Sequence, residues 1–193
     1  KRFDIPVYTK QGTWREIQDK LIVPKNQLIE LTKGSLTLGN LIVEPFAVSH
    51  DAADPIGINV FAGKDKTTVV TDTGVISDSI LRRMDDTTLL VLEANYDPHM
   101  LRFGPYQPFL KQRVASDEGH LSNEMAAQAL LMMNRPDFMQ VILAHRSENN
   151  NNAVLVTQTI GKMLVDGGVR IGPEMKLQHG QPNEIVSMKS VKR

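Results

Sequence analysis

The order of its elements predicts an α/β protein, two β-sheets packed together with helices on the outside. Three observations carry that reading. Short apolar and β-branched runs crowd the first 71 residues, helical patterns then alternate with buried strands up to residue 165, and strand-like segments close the chain.

Residues 5–8 read as a short strand and 13–21 as a short helix with Thr13 at its N-cap. Strands follow at 28–31, 35–38 and 41–48, separated by turns at Lys33-Gly34 and Gly39-Asn40. Segments 56–62 and 67–71 form a hairpin around a turn at 63–66, and the β-rich part ends near Asp72. Beyond it, 78–84 is helical and 88–93 is a buried strand. Asp97 followed by Pro98 opens a helix over 97–103, because the carboxylate can take an orphan N–H and proline has no N–H to lose there. Residues 108–114 are also helical. Helix 122–134 has the clearest pattern, with Met125, Ala126, Ala129, Leu130 and Met133 recurring three and four apart. A buried strand at 138–144 precedes a helix at 151–165 that Gly167-Gly168 stops, and Ile171 and 175–186 supply the last strands. The basic tail 188–193 is expected to fray. No repeat or internal linker divides the chain, so residues 1–193 read as one domain.

At 193 residues with 41% apolar composition, the chain can bury a real core and falls outside the disordered class. Lys plus Arg and Asp plus Glu are each 22, so no long-range field draws the whole molecule to nucleic acid; such a substrate would need a local patch and metal ions. With no cysteine, disulfides and thiolate zinc sites are excluded, which fits a reducing cytoplasm. No apolar run is long enough to span a membrane, and no membrane partner is expected. The nine methionines read as core filling, and no glycine-rich phosphate loop is present.

Three of the five histidines fall where a strand runs out into a loop or a helix start: His50 after 41–48, His120 in Gly119-His120-Leu121-Ser122-Asn123, and His145 after 138–144. Asp72 joins them in Thr71-Asp72-Thr73-Gly74. Imidazole and carboxylate on rigid strand ends are what a dinuclear hydrolytic metal site needs. Each also has a plainer reading. His50 can cap a loop, Asp72 can sit in an ordinary turn with Gly74 at positive φ, His120 can cap its helix, and Glu93 can merely end a strand. Among the polar residues nearby, Ser147 and Asn149 or Asn150 could meet a phosphate at the start of helix 151–165, or form a polar loop in which one asparagine caps that helix. Tyr106 could stack on a base or simply pack, and Lys111 and Arg113 are candidates for backbone phosphates or plain solvated charges. His99 and His179 have no such context.

Taken together, residues 49–57, 71–74, 92–95, 104–106, 119–123 and 143–150 resemble, in order, the motifs of the metallo-β-lactamase fold in its YycJ-type (WalJ/VicX) branch. The resemblance spans roughly residues 1 to 185. It implies an αββα sandwich and a metal-dependent phosphodiesterase, most specifically a DNA exonuclease of 5′-to-3′ polarity. An RNA-processing nuclease or a small-ester or lactam hydrolase of the same fold is the alternative. It further implies two divalent ions, zinc or manganese, with His50 and His145 each on one metal and Asp72 bridging. His120 would be a proton donor partnered by Glu93, and Asp51 and Asp54 are placed to orient His50. The superfamily's HxHxDH signature is absent from the 193 residues, so the expectation is an N-terminally truncated domain that leaves a sheet edge and part of one face uncovered. As a fragment it would be inactive alone and poor at retaining metal. A scaffold or interaction module without catalysis is the reading from another class.

Overall fold

The computed structural model describes residues 5–20, 23–31, 34–182 and 184–186. A seven-stranded mixed sheet organises it. The strands are β3 (Leu36–Leu38), β4 (Leu41–Ala47), β5 (Ile56–Ala62), β6 (Asp65–Val70), β7 (Leu89–Glu93), β8 (Met139–Ala144) and β9 (Met175–His179), in that spatial order. Pairings from β3 to β6 are antiparallel and those from β6 to β9 parallel. The directions that follow from these pairings put the carboxyl ends of β4, β6, β7, β8 and β9 at one edge of the sheet.

Helices α2 (Asp78–Met84), α5 (Asn123–Met132) and α6 (Ala153–Asp166) cover one face. Val70, Leu90, Leu92, Val141, Leu143 and Met175 point into it and pack with Ile80, Met84, Ala126, Leu130, Ile160 and Leu164. Parallel strands linked through helices are buried on that side, which explains why β7 and β8 read as continuous apolar runs. The opposite face carries the rows Pro45–Ile58–Val69–Val91–Ile142 and Val43–Val60–Thr67–Leu89, matched by strand register, and every residue in them is only half buried. The second sheet expected from the sequence is represented, among the described residues, by two short parallel strands, β1 (Val7–Thr9) and β2 (Leu28–Glu30).

Several boundaries differ from the sequence reading for identifiable reasons. Helix α1 (Gln11–Ile17) starts before Thr13, whose hydroxyl instead donates to the Asp54 carbonyl. The Asp54 carboxylate accepts from the Gly12 N–H, so the start of α1 is satisfied by a loop 42 residues away. The β5–β6 hairpin closes on Gly63 and Lys64 alone, with Ala62 paired to Asp65 and Gly63 at φ 62°. Helix α5 begins at Asn123 because Ser122 is its N-cap, accepting from Met125 N–H, and α6 begins at Ala153 because Asn152 caps it through Leu155 N–H. Helices α3 (Pro98–Phe103), capped by Asp97, and α4 (Pro108–Val114) form as expected. Strand β9 ends at His179, and Ile171 makes only an isolated bridge to Met175. Lys33 of the expected turn and the tail 188–193 lie outside the described residues.

Leu143 is 2% exposed, lies at the centre of the helix-covered face, and immediately precedes the segment carrying His145. Leu143→Ala is expected to destabilise the fold by about 2–5 kcal/mol through lost transfer energy and a residual cavity, measured by urea denaturation.

Candidate metal centre at the carboxyl edge of the sheet

Four chain segments meet at this edge. His50 follows β4, Asp72 follows β6, Glu93 is the last residue of β7, and His145 follows β8. Backbone contacts hold the loops together. Ser49 N–H donates to Thr73 Oγ1, Gly74 N–H to the Ser49 carbonyl, Asp51 N–H to the Glu118 carbonyl and His120 N–H to the Val114 carbonyl. Two glycines permit this closeness. A Cβ on Gly74 would lie 2.2 Å from the Ser116 carbonyl oxygen, and one on Gly119 2.2 Å from the Arg113 carbonyl oxygen. Gly74 is not at positive φ; the left-handed residues of the site are Asp72 (φ 55°) and His145 (φ 52°). A non-glycine residue in that region costs of order 1–3 kcal/mol, so the surrounding bonds must hold both in place. For His145 they are visible: Asn95 Nδ2 donates to its carbonyl, and Ser147 N–H donates to the Asn95 carbonyl.

The side chains converge on two carboxylates. Asp72 Oδ1 stands 3.8 Å from His50 Nε2 and 3.6 Å from His145 Nε2, too far for good hydrogen bonds. Both rings are held from behind. His50 Nδ1 meets the Gly119 carbonyl at 3.1 Å, and His145 Nδ1 meets Glu93 Oε1 at 3.1 Å. With those Nδ1 atoms donating, each Nε2 presents a lone pair toward Asp72. His120 lies between them, its ring 5.1 Å from each of the other two imidazoles. Its Nδ1 comes within 2.7 Å of Glu93 Oε1 without hydrogen-bond alignment, so that contact is electrostatic in the main.

Glu93 is completely buried. One oxygen faces both histidines and the other accepts from Thr73 N–H at 3.1 Å. Burial alone would push its carboxyl up; the contacts with His120 and His145 and the Thr73 N–H outweigh this, and its pKa lies below the ordinary value. The hydrogen bond to Glu93 raises the His145 pKa against the opposing effect of burial, with further help from the Glu93 and Asp72 charges.

Two overlapping sets of potential metal donors exist: His50, Asp72 and His120, and Glu93, His120 and His145, each with donor atoms within 4.8 Å of one another. The second set is accounted for by contacts among its own members at Glu93. His50 Nε2, Asp72 Oδ1 and His145 Nε2 are the donors left that could hold an ion. They are nitrogen and oxygen atoms without short partners, facing a shared region on rigid strand ends, and the carboxylate lies between the two imidazoles.

Several of the expected contact residues are engaged within the protein in this arrangement. Asn150 is fully buried, and Ser147 Oγ accepts from the N–H groups of Asn149 and Asn150, which closes the loop on itself. Asn151 is buried against Asn123 and the Ala94 carbonyl, and Asn152 is the asparagine that caps α6. Arg113 forms a paired contact with the Asp51 carboxylate, and Lys111 donates to the Arg102 carbonyl. Asp51 lies 3.5 Å from His50 Nε2, not behind the ring, and Asp54 is turned to α1; orientation of His50 falls to the Gly119 carbonyl. His120 precedes the helix cap Ser122 by two residues and does not cap α5 itself. Tyr106 and Asn149 remain accessible together, with Asn149 Nδ2 3.4 Å from the Tyr106 hydroxyl. His99 stacks on Phe103 and His179 meets Thr157, both apart from the cluster. Thr73, Asn95 and the Gly119 carbonyl were not singled out from sequence, although each adjoins a residue that was.

Residues 1–145 match the family described as the beta-lactamase superfamily domain. The chain belongs to that family. It is 32% identical to the exodeoxyribonuclease YycJ of Bacillus anthracis over 94% of this chain and 70% of that protein. Among solved structures it is similar to the metallo-β-lactamase fold protein YhfI of Bacillus subtilis, with TM-score 0.64 and 15% identity, over 90% of this chain and 62% of that one. It is also similar to zinc-bound PqqB of Methylobacterium extorquens, with TM-score 0.61 and 15% identity, over 92% of this chain and 62% of that one. The mixed sheet flanked by helices is accordingly the α/β sandwich architecture of the metallo-β-lactamase fold, a fold that implies divalent metal ions. Among the described residues no helix is long and apolar enough to cross a membrane.

The charge pair sets a pH window for the metal-free protein. His145, raised above 6.5, contributes stability that is complete below that value and is lost as pH rises through the raised pKa. Glu93, lowered below 4.5, contributes above that value and loses its contribution as pH falls. Denaturation in chelator is therefore expected to show stability declining on the alkaline side of 6.5, and Glu93→Gln is expected to flatten that decline. A second expectation concerns zinc affinity. Both Glu93 oxygens act only as acceptors, so a glutamine amide must confront either Thr73 N–H or the histidines with a donor. Calorimetric titration should find zinc bound about 10–100-fold more weakly by Glu93→Gln, the range for losing a partner that orients a ligand.

Proposed function

We propose that the chain carries the active face of a metal-dependent exodeoxyribonuclease that degrades duplex DNA from 5′ to 3′. The observation that supports this most is the arrangement around Asp72. Two backed imidazoles present Nε2 to one carboxylate oxygen, and a third, His120, stands between them with its own carboxylate. That arrangement supports a hydrolytic site with His120 as its proton donor. The relative in Bacillus anthracis that shares 32% identity is an exodeoxyribonuclease, which favours a DNA phosphodiester over other substrates.

In this reading His50 Nε2, His145 Nε2 and Asp72 Oδ1 would hold the divalent ions. Zinc and manganese both suit such nitrogen and oxygen donors. When bound, such ions would supply polarisation of the phosphate and activation of a water. Glu93 stays ionised and fixes the Nδ1 sides of His120 and His145. His120 Nε2 is then free to give a proton to the departing oxygen. Asn149 and Tyr106, adjacent at the rim, are placed to meet the nucleic acid near a phosphate and a base.

The test is hydrolysis of end-labelled duplex DNA with zinc or manganese by a full-length protein that carries these residues together with an HxHxDH segment, set against RNA and the lactam nitrocefin. DNA shortened from its 5′ ends is expected, with nitrocefin untouched; preference for RNA or for the lactam would contradict the proposal. Asp72→Ala should cost more turnover than His120→Ala, because Asp72 would hold the ions whereas a general acid contributes typically about 10²–10⁴-fold.

A further inference from the structure

The helical pair α3–α4 carries an outer surface that its own packing does not require. Leu101 and Val114 point inward and pack with Tyr96 in a small core, against which Tyr106 and Leu110 lie. Phe103 and Phe109 take no part in that core and are 67% and 72% exposed. Phenylalanine is among the residues most often buried. Among the described residues, Phe103 and Phe109 are the only Phe, Tyr or Trp side chains that stand exposed.

Their setting is basic. Residues 98–116 hold three Lys or Arg and no Asp or Glu, in a chain whose net charge is zero. Asp51 neutralises Arg113, but the Arg102 guanidinium has no carboxylate partner among the described residues and lies 5.4 Å from the centre of the Phe103 ring. Lys111 donates to the Arg102 carbonyl, which leaves its charge in place. The pair is also fixed to the loop that follows His145: Asp97 N–H donates to the Asn150 carbonyl, and Asn149 Nδ2 lies 3.4 Å from the Tyr106 hydroxyl. Exposed rings among uncancelled cations match a nucleic-acid strand, with bases for the rings and phosphates for the charges. Inside a duplex each base face is covered by its neighbours, so such rings serve bases that are unpaired or at a strand end.

We infer that the outer surface of α3–α4 is a stacking platform for unpaired bases at a DNA end, with Phe103 and Phe109 as its ring faces and Arg102 and Lys111 drawing the backbone to it. The inference rests on the nucleic-acid reading proposed above. Neither phenylalanine touches a residue of the metal centre, so the platform holds the end of the substrate and takes no part in the chemistry.

Binding of a fluorescein-labelled DNA duplex with an unpaired 5′ tail tests this without turnover, followed by anisotropy in chelator across a salt series. The protein is a full-length one that carries these residues together with an HxHxDH segment. Phe103→Ala and Phe109→Ala should each weaken binding about 5–150-fold, the range for one base stacked on an aromatic ring. The salt slope should not change, because no charge is lost. Phe109→Tyr should stay near the parent, and Phe109→Leu, apolar but without a ring face, should bind as weakly as Phe109→Ala. Met132→Ala, which trims an equally exposed apolar side chain on α5, should also stay near the parent. Both alanine variants binding like the parent, or Phe109→Leu binding like it, would overturn the platform. So would a dimer of the parent, seen by sedimentation, that either alanine variant dissolves with DNA affinity unmoved; the surface would then belong to a second copy of the chain. A parent protein with no salt-dependent affinity for the DNA would instead overturn the nucleic-acid reading itself, and the platform with it.

Discussion

A single buried carboxylate holds this site together. Glu93 is removed from water at the end of β7, where an isolated charge costs several kcal/mol even after relaxation. The structure offsets that cost by giving both oxygens partners from three other segments: Thr73 after β6, His120 before α5, and His145 after β8. The same contacts choose which nitrogen of His145 faces Asp72. Hydrogen bonding, burial and ligand orientation are thus consequences of one residue's position in the sheet.

The sheet makes that position possible. Glu93 pairs in register with Ala144, so the residue after it in space is His145. Val70, Leu92 and Leu143 anchor the ends of β6, β7 and β8 in the helix-covered core, one or two residues before the chemistry begins. Packing energy in the core can therefore hold Asp72 and His145 in left-handed conformations that neither would adopt by preference.

What could be read from sequence was what depends on local pattern. Asp97-Pro98 announces α3 because cap and proline act within one turn, and α5 shows its apolar period directly. His50, Asp72 and His145 stood out because strand ends bring titratable groups to one edge in α/β sheets. Features decided by distant partners did not show. The start of α1 depends on Asp54, and Arg113 is claimed by Asp51 from 62 residues away. By its sequence the asparagine run also suits a phosphate contact. A polar side chain near a helix start looks the same in sequence whether it faces solvent or, like Asn150 and Asn151, closes a buried loop. The role of Glu93 was half visible: the sequence suggested a partner for His120, while its hold on His145 required the register of β7 with β8.

The most direct test of the central claim is the imidazole tautomer of His145 in the metal-free protein, read from long-range ¹⁵N–¹H correlations at a pH where the ring is neutral. If Glu93 orients the ring, the proton resides on Nδ1 and Nε2 is bare, and Glu93→Gln disturbs that pattern. A neutral His145 carrying its proton on Nε2, or a tautomer mixture unchanged by Glu93→Gln, would contradict the account.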